Sequence, residues 1–261
     1  MNDAFAHVAG LPGVPEAVAS ARSSVDRLRG HRLLRRQGPE VSAESALRGA
    51  RASAALEGAE VALAEVRAGL VTSPVVQGAL RVSSELGALA GAWRVAPGQA
   101  LARLHALAAA DAVEADLLGR PRSSSVASDP LGLGAPPSPD EVADRLSSLS
   151  ALLTSPTEAP ALVAAAIAHG ELLALRPFGW GDGVVARGAV RLTLVDRGFD
   201  AKSLAAPEVG HVELGSAYSE AIHAYVSGTP SGVAQWVRHC AEAIELGARE
   251  TLAVCEAFTR R

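Results

Sequence analysis

Aromatic side chains are nearly absent: Phe, Tyr and Trp make up 3% of a 261-residue chain that is 49% hydrophobic. Ala, Leu and Val must therefore fill the core. That composition favours closely packed helices, because Ala is the best helix former and strands favour β-branched and aromatic residues. No stretch of strand length alternates apolar and polar residues, and no internal repeat recurs. Long apolar runs are missing too. The longest, Ala161 to Ala168, falls far short of the roughly 20 residues of a membrane span. The start, Met1-Asn2-Asp3-Ala4, has neither the basic nor the apolar region of a signal peptide. The 24 basic and 28 acidic residues are interspersed, giving a net charge of -4 and no basic stripe for nucleic acid. The only cysteines, Cys240 and Cys255, fall in one helical run. There they are about 22 Å apart, beyond the roughly 7 Å a disulfide tolerates. They read as reduced core thiols of a cytoplasmic protein. His211, His223 and His239 are too scattered to suggest a metal site.

What is present is a succession of helical patterns separated by proline and glycine. Apolar periodicity and stop signals predict helices over 16–36, 42–69, 74–93 and 99–118, then over 140–153, 160–175, 183–197, 213–226 and 233–258. The expected fold is all-α with nine or ten helices. One segment breaks the pattern: Gly119 to Pro139 carries five prolines. A loop of roughly twenty residues inside a domain is usually functional or disordered, and Arg122-Ser123-Ser124-Ser125-Val126 suggests a short hairpin arm within it.

The most informative stretch is Arg176-Pro177-Phe178-Gly179-Trp180-Gly181-Asp182-Gly183-Val184-Val185-Ala186-Arg187, between two helical runs. A glycine-rich loop opening a helix gathers backbone N–H groups at the positive end of the helix dipole, which suits a phosphate. Yet it lacks a base, a metal carboxylate and a full set of cations. An ordinary helix–helix turn with Asp182 as N-cap would account for the loop taken alone.

Other segments speak against that bland reading. The loop resembles the motif of Fic (Fido-fold) proteins, His-Pro-Phe-x-(Asp/Glu)-Gly-Asn-(Gly/Lys)-Arg-x-x-Arg, whose usual activity is transfer of AMP from ATP to a protein hydroxyl. Pro177, Phe178, Gly181, Gly183 and Arg187 agree. Arg176 stands for the His, Trp180 for the acid, Asp182 for the Asn and Val184 for the first Arg. Ala166-Ile167-Ala168-His169 resembles the Ala-x-x-His one helix earlier. Leu118 to Val142 is similar to the family's target-binding flap, and Tyr218 to Trp236 to its closing helices. Ser53-Ala54-Ala55-Leu56-Glu57-Gly58 fits the inhibitory motif (Ser/Thr)-x-x-x-Glu-(Gly/Asn), whose Glu pairs with the motif's last Arg. Each pattern is weak alone, whereas the ordered set is strong. The resemblance implies a Fic-like core over 96–261, with a flap at 119–139, behind an N-terminal helical region over 1–95.

The substitutions have physical consequences. Arg176 has no acceptor and a pKa above about 12, so it cannot be a base. Trp180 cannot ligate Mg²⁺, and its ring is expected to fill the space of metal and phosphate. Asp182 would repel a bound phosphate, and Val184 removes a cation. The resemblance then implies a degenerate site with no cofactor and no catalytic residue. Arg176, Phe178, Gly179, Trp180, Gly181, Asp182, Gly183 and Arg187 would form a vestigial anion loop. Ser53, Glu57 and Gly58 would form an inhibitory-like contact, with Glu57 meeting Arg187. Function would lie in binding or regulation, with a protein partner at the flap and no nucleic acid or membrane. The enzymatic alternative is a transferase of altered chemistry, with Asp182 or Glu57 as base, taking ATP with Mg²⁺ or a sugar nucleotide at 179–183. A third reading is a helical subunit of a larger assembly.

Overall fold

Proline and glycine set most of the element boundaries. A computed structural model describes residues 3–259; Met1, Asn2, Arg260 and Arg261 lie outside the described residues. Twelve α-helices occur among them: α1 (Ala4–Ala9), α2 (Val14–Arg29), α3 (Gly38–Ala55), α4 (Leu63–Arg67), α5 (Pro74–Val95), α6 (Pro97–Ala109), α7 (Pro139–Thr154), α8 (Ala161–Leu175), α9 (Asp182–Asp196), α10 (Pro207–Glu213), α11 (Ser216–Val226) and α12 (Pro230–Thr259). Proline occupies the first or second position of α2, α3, α5, α6, α7 and α10, where its missing N–H costs no bond. The all-α expectation holds, and no described helix is long and apolar enough to cross a membrane.

α8 and α9 form the centre. α8 is apolar around its whole circumference and twelve of its residues are buried, as expected of a helix enclosed on all sides. α9 packs against α8 and is itself buried over most of its length. α5 and α6 cover one side of the pair, while α11 and α12 lie against α8 on the other. α12 also packs on α2 and α10. One hydrophobic core runs from Phe5 to Cys255, so the N-terminal helices share it with the rest of the chain. The scarce aromatics are placed centrally. Trp236 is fully buried, and its indole N–H donates to the Ala166 carbonyl at 2.7 Å, tying α12 to α8.

Several boundaries differ from expectation for identifiable reasons. The helix expected over 42–69 stops at Ala55, because Gly58 takes a left-handed φ of +85° and the Ala59 N–H returns to the Ala54 carbonyl at 3.0 Å. The one expected over 99–118 stops at Ala109. There Arg81 of α5 takes the Leu107 carbonyl at 2.8 Å and the Asp111 carboxylate at 2.7 Å. The first helix ends at Arg29, and a 3-10 turn over Arg32–Arg35 follows Gly30. α1 was not anticipated; Asp3 caps it through the Ala6 N–H at 3.1 Å and accepts from the Thr157 hydroxyl at 2.7 Å.

The expected hairpin at 122–126 is not seen: no strand occurs among the described residues of 119–139. Two of its backbone N–H groups bond to the 176–187 loop instead of to a second strand of the segment. The Arg122 N–H donates to the Pro177 carbonyl and the Ser128 N–H to the Gly179 carbonyl, both at 2.8 Å.

Candidate functional site

α8 ends where Arg176 adopts φ +46° and ψ +59°, a left-handed conformation. For a non-glycine residue this costs about 1–2 kcal/mol and persists only where the surroundings impose it. Here they do. Arg176 is buried; its Nη2 donates to the Gly134 carbonyl at 2.8 Å, and its Nη1 lies 3.2 Å from Asp129 Oδ1. Asp129 in turn accepts the Leu133 and Gly134 N–H groups, both at 2.8 Å. From the other side, Arg122 donates through Nε to the Arg176 carbonyl at 2.9 Å and through Nη2 to the Pro137 carbonyl at 2.6 Å. The 119–139 segment is thereby fastened to the end of α8 by two arginines.

Asp182 opens α9, but its side chain turns back into the loop and accepts the Phe178 N–H at 2.9 Å. The loop thus supplies its own acceptor to a donor that could have met a ligand. Burial pushes the Asp182 carboxyl up to about 7, against the lowering effect of the Phe178 and Gly179 N–H groups; Glu57 pushes it further up and Arg122 pulls it down. Its second oxygen is buried and has no partner. The Phe178 ring stacks on His105 at 4.3 Å and 6°. His105 Nδ1 accepts the Gly119 N–H at 2.9 Å, and burial holds the imidazole down to about 4, so it is neutral.

One turn into α9, Arg187 is 2% exposed and uses its whole guanidinium. Nε donates to the Ser53 hydroxyl at 2.9 Å, and Nη2 donates to the Ser53 carbonyl at 2.9 Å and to Glu57 Oε1 at 2.7 Å. Nη1 lies 3.4 Å from the Tyr218 hydroxyl, which meets His169 Nε2 at 3.0 Å. The early stop of α3 lets Glu57 leave the helix and reach inward. Gly183 completes the fit, since any Cβ there would overlap Glu57 Oε1. Ser53, Glu57, Asp182, Gly183 and Arg187 are therefore brought together, whereas Gly58 is exposed and acts only through its turn.

A cavity of about 20 Å³ remains, bounded by Glu57, Asp129, Leu131, Leu133, Arg176 and Asp182 among others, room for about one water. Half-buried Trp180 does not line it, whereas Glu57 and residues 128–131 and 133 do. The histidines are less scattered than their spacing suggests. His211 Nδ1 and His239 Nε2 are 3.0 Å apart in the core, beside His169, although no group of described residues could hold a metal ion. Asp129 and Tyr218 escaped sequence reasoning as site partners. Nothing in Ser128-Asp129-Pro130 indicates that the carboxylate faces an arginine at the end of α8.

The architecture is that of the Fic fold. A Fic family protein from Desulfovibrio desulfuricans superposes with a TM-score of 0.74 at 21% identity, over 91% of this chain and 74% of the other. Fic-1 of C. elegans gives 0.70 at 19% identity, over 93% and 73%. A Fic domain-containing signaling protein from Bacteroides thetaiotaomicron gives 0.67 at 15%, over 92% and 98%. No protein-family model and no curated protein sequence matches the chain.

Proposed function

We propose that this chain is a catalytically degenerate Fic-fold protein that performs no AMP transfer and acts by binding a protein partner through residues 119–139. The observation that supports the reading is that three side chains of the loop region are engaged by the protein's own groups. Glu57 engages Arg187, which by family resemblance would hold a phosphate. Asp182 takes the loop N–H of Phe178. Arg176, standing where the family has its base, has no acceptor and serves as a clamp on the 129–134 turn. The space left among them is too small for a triphosphate.

In this reading Ser53 and Glu57 form a structural lock, and no ATP or Mg²⁺ is required. The 119–139 segment, with Val126 exposed near its tip, is presented on a backbone fixed at both ends, which lowers the ordering cost of binding. Thermal shift with ATP, ADP, GTP and UDP-sugars, with and without Mg²⁺, tests the proposal. No shift is expected, and micromolar binding of any of them would overturn it.

One observation favours the transferase of altered chemistry. Asp182, with a carboxyl near 7 and an unpartnered oxygen, has the character of a general base at neutral pH. That reading requires Glu57 to withdraw, so Glu57→Gly should then bind a nucleotide that the parent protein does not.

A further inference from the structure

We propose that Arg32, Arg35 and Arg36, which face a concavity at the end of α12, dock an acidic segment of a partner protein. Arg27 and Arg29 lie in the last turn of α2, Arg32 and Arg35 in the 3-10 turn, and Arg36 just beyond. No Asp or Glu occurs between residues 27 and 36. All five arginines are exposed. Among the described residues only Arg29 has a carboxylate within salt-bridge reach, Asp26 at 3.7 Å.

The backbone that carries them is fixed. Leu28 and Leu34 are buried on either side of Gly30, and His31 Nδ1 caps the 3-10 turn by accepting the Leu33 N–H at 3.3 Å. Arg32, Arg35 and Arg36 rim a concavity of about 540 Å³ against the end of α12. Two helix C-termini, those of α2 and α12, approach this region. Each contributes roughly half a negative charge, so together they offset about one of the five cations. Arg29 is paired with Asp26, so about three remain without a structural counter-charge, and the cluster exceeds what capping two helices requires.

The surroundings select the class of ligand. A membrane surface would need apolar side chains to insert, yet the large exposed hydrophobics, such as Leu70, Val95 and Leu117, lie elsewhere in the chain. A nucleic-acid strand needs an extended basic track. Here the four-residue 3-10 turn spans only about 8 Å, and exposed Asp26 and Glu40 flank the arginines in sequence. A short run of carboxylates fits: arginine forks pair with carboxylate oxygens two at a time, and the concavity accepts a few side chains. The surface is independent of the 176–187 loop and stands whether or not that site is inert.

Fluorescence anisotropy of a fluorescein-labelled octaglutamate peptide titrated with the full chain tests this. Saturable binding at about 50 mM salt that weakens at about 300 mM is expected for a contact of this kind. The Arg32→Glu/Arg35→Glu/Arg36→Glu variant should weaken binding by at least about tenfold, and neutral Arg35→Gln/Arg36→Gln by about threefold. Circular dichroism melts of both should match the parent, because the side chains are exposed. Absence of peptide binding at low salt, or equal binding by the charge-reversed variant, would overturn the proposal. Tighter binding of a dT12 oligonucleotide or of phosphatidylserine vesicles than of the peptide would do the same.

Discussion

Glu57 Oε1 lies 2.7 Å from Arg187 Nη2, and the Cα of Gly183 faces that oxygen with no side chain between them. The pair is almost fully withdrawn from water, with side-chain exposures of 12% and 2%. In such a setting the net worth of the pair is small, because desolvation offsets the attraction. Removing one partner, however, strands a buried charge. Glu57→Ala should therefore destabilise the protein by about 3 kcal/mol, read from urea denaturation. Arg187→Met combined with Glu57→Ala should recover part of that loss. If the double variant were as unstable as the sum of the singles, the two residues would not be coupled.

Gly183→Ala tests the same contact from the other side. Its Cβ would overlap the Glu57 carboxylate and lie 3.0 Å from Arg187 Nη1, so Glu57 must leave its place. Overpacking of this kind costs about 1–3 kcal/mol. The loss should shrink when Glu57 is also truncated, a non-additivity that a helix-propensity effect at position 183 would not show.

Asp182 predicts a pH dependence of definite sign. Its folded carboxyl sits near 7, above the ordinary value of 3.8. Between those values the folded state holds a proton that the unfolded state has released, so stability falls as pH rises through this window. Asp182→Asn keeps an oxygen for the Phe178 N–H and removes the buried charge. It should stabilise the protein at pH 8 by up to about 4 kcal/mol and change little below pH 4, as measured by denaturant midpoints at the two pH values.

The buried imidazoles act in the opposite direction. Burial holds His105 and His239 down to about 4, and His169 and His211 well below their ordinary value. The unfolded chain takes up these protons below about pH 6.5 while the folded state does not, so stability is lost as pH falls from there toward 4. With four such groups against two raised carboxyls, Asp182 and Asp200, thermal melts should show a fall in Tm below pH 6. His239→Phe should flatten that fall; an unchanged slope would mean that His239 is protonated without penalty.

Arg176 has a kinetic consequence. Arg176→Ala removes the contacts to Gly134 and Asp129 while leaving the Arg122 attachments of the same segment in place. Hydrogen exchange at the Leu133 and Gly134 amides should accelerate by about tenfold or more, with little change at the Arg122 amide. Uniform acceleration along 119–139 would contradict a local clamp.

Much of this was legible in the chain. Helices α7, α8, α9 and α12 follow from periodicity and proline starts, since a helix buried on one face or on all of them leaves its pattern in local sequence. The loop at 176–187 and the contact partners Ser53 and Glu57 are visible as ordered short patterns. The stops of α3 and α6 were not. They depend on Gly58 taking a left-handed turn and on Arg81 capturing the Leu107 carbonyl and the Asp111 carboxylate, a long-range competition that local propensity cannot register. The absent hairpin has a similar origin: the N–H groups of Arg122 and Ser128 found carbonyls at 177 and 179 in place of carbonyls within their own segment.

By itself, then, the sequence determined an all-α chain built from small apolar residues, the helix–loop–helix around 176–187, and the identity of the charges near it, because these reside in composition and local spacing. Tertiary structure alone decided where those charges turn. Asp182 folds back onto its own loop, Arg176 swings to the 129–134 turn, and Glu57 passes over Gly183 to Arg187. Electrostatic partners separated by many residues are chosen by which buried groups remain unsatisfied once the helices have packed, and that choice exists only in three dimensions.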